Sequence, residues 1–96
     1  MQRTGRRIRL GSILIVYTSK ADGPSRVALT VSKKVGNAVV RNRVKRRLRE
    51  AVRAQLDSIP DGHEVVIIAH PQASEQSQHA LAGQLEDGWN RMASQC

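Results

Sequence analysis

"KKVGNAVVRNRVKRRLRE", residues 33–50, sets a glycine and an asparagine ahead of a run of cations. Extended to residue 56, the stretch places Val40, Val44, Leu48, Val52 and Leu56, with Ala51 beside them, at helical spacing, which predicts a helix over 38–56. Asn37 suits its N-cap, because the side-chain oxygen can accept from a free backbone N–H of the first turn. With Val44 at the centre of the buried face and about 100° of rotation per residue, Asn42, Arg46, Arg49 and Arg53 fall together on the opposite side. Seven of the thirteen residues from Arg41 to Arg53 are basic and only Glu50 is acidic. Such crowding costs helix stability unless an anion neutralises it, and Glu50, four residues after Arg46, offsets only about a few tenths of a kcal/mol. Arg outnumbers Lys here, and a guanidinium forks two donors onto phosphate or a base edge where an ammonium acts as a point charge. Two readings stay open: a polyanion-binding face, or a solvated charged face that keeps a small protein soluble. The density, the one-sided stripe and the Gly36-Asn37 start favour the first.

Outward from the helix, "RVALTVSK" (26–33) alternates Val27, Leu29 and Val31 with Ala28, Thr30 and Ser32, giving an aliphatic face and a small, partly polar face that could stay open. "SILIVYTS" (12–19) is a second β-branched strand, and "KADGPS" between the two has the chemistry of a turn, so a hairpin is expected. "EVVIIA" (64–69) is a continuous apolar run, typical of a strand covered on both faces. A closing helix is expected over 75–93, capped by Ser74, with Leu81, Leu85, Trp89 and Met92 on one stripe; exposed glycines at 83 and 88 would weaken it by about 1 kcal/mol each. Residues 1–9 are basic without a clear period and read as an extended lead-in. The order β-β-α-β-α predicts a small sheet with helices packed on it.

The 96 residues allow one domain, 1–96, with a modest, mostly aliphatic core, since there is no Phe, one Tyr and one Trp. A formal charge of +8 favours a polyanionic partner, nucleic acid first. No run is long enough to span a bilayer and no signal peptide is recognisable, so a cytoplasmic protein is expected. The single cysteine, Cys96, excludes an internal disulfide and fits a reducing compartment.

The sequence "VSKKVGNAVVRNRVKRRLRE" resembles the signature of the bacterial ribonuclease P protein subunit, whose Arg-Asn-Arg helix is read here at Arg41, Asn42 and Arg43. Lys33, Lys34, Gly36, Asn37, Ala38, Val39, Lys45, Arg46, Arg49 and Glu50 also stand where that pattern puts them. The resemblance implies an α+β, ribonuclease P protein-like fold: a mixed sheet of about four strands and a left-handed βαβ crossover, although about 98% of such crossovers are right-handed. It implies a chain that assists a catalytic RNA in removing the 5′ leader from precursor tRNA. The RNA performs the hydrolysis, and one protein serves each RNA. Lys33, Lys34, Asn37, Arg41, Asn42, Arg43, Lys45, Arg46 and Arg49 would then contact RNA, joined by Arg53 from its place on the stripe. Tyr17 would stack on an unpaired leader base in a cleft shared with Ala28, Thr30 and Ser32; the structural alternative for Tyr17 is packing at a sheet edge.

The family opens with a further helix that forms one cleft wall. "RTGRR" resembles the segment just after it, so the expectation is that the true start lies upstream of Met1. His70 stands where a family Arg would be unsurprising.

No catalytic residue or metal site is expected in the chain itself. His63, His70 and His79 are dispersed without ligand spacing, and neither a nucleophile elbow nor a phosphate loop occurs. The chain binds no cofactor on this reading, and Mg²⁺ belongs to the RNA's reaction. The rival class is a generic nucleic-acid-binding module such as a ribosome-associated protein. A membrane-surface helix is disfavoured, because residues 41–56 lack a broad aromatic or Leu-rich face.

Overall fold

Ile8 and Leu10 alternate with Arg7 and Arg9, a period-2 pattern short enough to be hidden by the arginines. In the computed structural model, which describes residues 5–19 and 23–95, this alternation is a strand. Strand β1 (Arg6–Leu10) pairs antiparallel with β2 (Ile13–Ser19) across the tight Gly11-Ser12 turn. The extended lead-in expected over residues 1–9 is, from Arg6 on, a paired strand with a period of two that the sequence reading did not assign; residues 1–4 lie outside the described ones. Strand β3 (Arg26–Val31), helix α1 (Ala38–Ala54), strand β4 (His63–Ala69) and helix α2 (Gln78–Gln95) follow, with short 3-10 turns at Lys33–Val35, Leu56–Ser58 and Pro71–Glu75.

The strand order is β1-β2-β4-β3. The anticipated hairpin between β2 and β3 does not form, because β4 lies between them, antiparallel to β2 and parallel to β3. Half of its proposed turn, residues 20–22 of 20–25, lies outside the described residues. Parallel strands need a long crossover, and α1 supplies it. The described residues form an α+β fold: a four-stranded mixed sheet with two α-helices.

Register fixes the faces. Ile15 pairs with Ile67 and Ile8, and Leu29 with Ile67, so these share the buried face with Leu10, Ile13, Tyr17, Val65 and Ala69. Both helices contribute to the same core through Val44, Leu48, Ala51, Leu81, Leu85, Trp89 and Met92, all buried. The other face carries Arg7, Arg9, Leu14, Val16, Thr18, Arg26, Ala28, Thr30, Glu64, Val66 and Ile68. The aliphatic members Leu14, Val16, Val66 and Ile68 are half-buried. "EVVIIA" is thus central in the sheet, yet its buried positions all lie on one face, so the expected cover on both sides is corrected.

Helix boundaries shift where side chains compete for caps. The closing helix begins at Gln78 rather than 75, because Ser77 Oγ accepts from Ala80 N at 3.0 Å, while Ser74 Oγ donates to the carbonyl of Pro71. Leu56, assigned to the core row, is 60% exposed because α1 ends at Ala54. Gly88 is buried in the helix–sheet contact, where a Cβ would overlap the Ile15 Cδ1 methyl and stand 2.8 Å from Leu10 Cδ1. Its lack of a side chain lets α2 approach the sheet.

Candidate nucleic-acid interface

The basic helix starts where the sequence says it should. Asn37 Oδ1 accepts from Val40 N at 3.0 Å and the Asn37 carbonyl from Arg41 N at 2.9 Å. Gly36 is required beside it, since a Cβ there would stand 2.9 Å from Val40 Cβ. The preceding turn is pinned by buried Val35 and leaves Lys33 and Lys34 exposed. Lys33, Lys34, Asn37 and the first turn of α1 are thereby held in one surface.

The inner face of α1 is locked by polar bonds as well as by Val44 and Leu48, both fully buried. Arg47 Nη1 donates to the carbonyl of Gln76 at 2.7 Å, and Gln78 Nε2 donates back to the Arg47 carbonyl at 2.9 Å. Gln55 Nε2 donates to the Ala82 carbonyl while its Oε1 accepts from Trp89 Nε1, each at 2.9 Å. These bonds satisfy groups that would otherwise be costly to bury, and they fix the rotation of the helix. Arg47 is consumed in this clasp; the sequence marks it only as one more cation.

Outward, Asn42, Arg46, Arg49 and Arg53 are all exposed, as the helical phase predicts, while Arg41, Arg43 and Lys45 flank them half-buried. The helix carries seven cations against one carboxylate and has no acid in its first turn. Among the described residues the only ion pair joins Arg91 and Asp87 at 3.2 Å, so no α1 cation is neutralised by a carboxylate. Arg41 Nε and Arg43 Nε are buried without a hydrogen-bond partner. A buried donor without a partner is costly, and an incoming oxygen acceptor would relieve it.

The cleft set does not come together as expected. Tyr17 pairs with Val65, which pairs with Val27, whereas Ala28 pairs with Val66, which pairs with Val16. Tyr17 is therefore on the helix-covered face, 4% exposed, its ring edge-on to His63 at 5.4 Å between centroids. Ala28 and Thr30 are exposed on the opposite face, and Ser32 is exposed beyond the end of β3. One cleft cannot hold all four. Arg7, Arg9 and Arg26, which no motif in the sequence singles out, stand on the two outer strands of the open face that holds Ala28 and Thr30.

Fold and surface together define a small mixed-sheet protein with a cationic helix that no carboxylate among the described residues neutralises. The sequence matches the Ribonuclease P family over residues 1–93, and the chain belongs to that family. It is 52% identical over 59 residues to a ribonuclease P protein component of Brevibacillus brevis, covering 59% of this chain and 47% of that protein. It is 42% identical over 87 residues to that of a Nocardioides species, covering 88% and 74%. The RNase P protein from Thermotoga maritima superposes with a TM-score of 0.83 at 25% identity, covering 91% of this chain and 83% of that one. The chain spans about half the length of several curated relatives, 47%, 44% and 53% of three of them.

Proposed function

We propose that this chain is the RNA-binding protein subunit of a ribonuclease P, docking on the catalytic RNA through α1 and the Lys33–Asn37 turn and assisting removal of the 5′ leader from precursor tRNA. The observation that carries the reading is the outward stripe of α1, whose cations have no carboxylate partner among the described residues. Phosphates would supply the missing counter-charge, and the orphaned Nε donors of Arg41 and Arg43 would gain acceptors. The names of the relatives, ribonuclease P protein components, point the same way.

In this arrangement the hydrolysis belongs to the RNA and its Mg²⁺, and the chain contributes charge and position. One protein serves each RNA, in the cytoplasm; no helix among the described residues is long and apolar enough to cross a membrane. The leader would pass over the open sheet face at Ala28 and Thr30, with Arg7, Arg9 and Arg26 offering cations at its rims. Adding the chain to a bacterial ribonuclease P RNA and precursor tRNA at low Mg²⁺ tests the proposal. Improved 5′ processing is expected, and no improvement at saturating protein would refute it.

A further inference from the structure

The flank of α1 that meets the sheet edge shares Arg49 with the outward stripe and sets an apolar surface beside it. Lys45, Arg49 and Val52 lie at i, i+4 and i+7, one row of the helix, and with Val27 and Leu29 of β3 they line an open groove of about 230 Å³. Val27, Leu29 and Val52 are half-buried, an apolar floor that the helix covers only in part. Strand β3 is an edge of the sheet with no described strand on its outer side, so every second residue turns its N–H and C=O outward. An apolar floor, two cations at the rim and unpaired backbone groups match the three parts of a nucleotide: a flat ring, a phosphate and a polar base edge.

We propose that this groove seats a single unpaired nucleobase of the bound RNA, its ring on Val27, Leu29 and Val52 and its phosphate on Lys45 and Arg49. Size decides the part enclosed. The volume is below the roughly 300 Å³ at which pockets begin to enclose whole small molecules, so a ring enters while sugar and phosphate remain at the cationic mouth. No aromatic lines the groove, so aliphatic contact takes the place of stacking. The proposal rests on the RNA-binding reading of α1 and adds to it a contact with base rather than backbone.

The test is a titration of the full chain, with methyl-labelled Val and Leu and labelled backbone amides, by a short oligouridylate and by an abasic oligomer of the same length and charge. The base-bearing oligomer is expected to shift the Val27, Leu29 and Val52 methyls and to bind about five- to tenfold more tightly than the abasic one. Val52→Leu, which narrows the groove and keeps every cation, is expected to bring the two affinities together. Shifts confined to the amides of α1, or equal affinity of both oligomers for the unsubstituted chain, would overturn the groove while leaving α1 as a phosphate-binding helix. No shift anywhere in α1 would overturn both.

Discussion

Gly88→Ala and Gly83→Ala make the same chemical change in the same helix, and the structure assigns them different outcomes. Each replaces glycine by the best helix former, a gain of about 1 kcal/mol in a helix interior. At Gly83 an added Cβ meets nothing within 4 Å, so the gain is kept. At Gly88 it collides with Ile15 Cδ1 and stands 2.8 Å from Leu10 Cδ1. Ile15 is fully buried and Leu10 is 5% exposed, so neither methyl can swing into solvent. Inserting one carbon into a filled core costs about 1 to 3 kcal/mol. Because the propensity terms cancel between the two variants, their difference is the packing cost alone. For a domain of this size that corresponds to a gap of at least about 4 °C in melting temperature, with Gly83→Ala above the unsubstituted chain. Thermal denaturation followed by far-ultraviolet circular dichroism measures it. Equal stabilisation by both would refute the close approach of α2 to β1 and β2.

Leu48→Ala should cost about 2 to 5 kcal/mol, since the side chain is fully buried; an unchanged melting temperature would mean the helix is rotated and its outward cations misassigned. Gln55→Leu should cost about 1 to 3 kcal/mol by leaving Trp89 Nε1 without its acceptor, and a melt indistinguishable from that of the unsubstituted chain would contradict the clasp. Tyr17→Ala should lower stability by about 3 to 5 kcal/mol, as for other buried aromatics, and weaken leader-bearing and mature tRNA equally in the assembled enzyme. A leader-specific loss at unchanged stability would place Tyr17 on the RNA.

The helix was legible because its signal is local. Val44 and Leu48 set the phase, Asn37 sets the start, and both survive folding because α1 packs with the face that its periodicity selects. Long-range pairing was not legible. The hairpin between β2 and β3 is reasonable from adjacency and a turn, yet β4, more than thirty residues beyond β3, takes the place between them. That single insertion fixes the register, and register decides that Tyr17 and Ala28 look in opposite directions. β1 was obscured for a different reason: its exposed positions are arginines, so Ile8 and Leu10 appear as interruptions of a charge run rather than as the apolar half of an alternation. Gly88 carries no signal at all in a single sequence, because its role is the room it leaves for Ile15. The candidate interface divides the same way, with the residues of α1 readable one by one and the open sheet face visible only after the strands are paired.

The salt dependence of binding to a bacterial ribonuclease P RNA separates a helix that holds phosphates from one that is merely solvated. Arg46 and Arg49 are exposed, opposite the buried row, and have no carboxylate partner among the described residues, so Arg46→Ala with Arg49→Ala should leave the melting temperature unchanged. If both hold phosphates, the slope of log K against log salt should fall in magnitude by about 0.7 to 0.9 for each, together with a loss of affinity at low salt. An unchanged slope and affinity would contradict the account and leave the stripe as a solvated charged face.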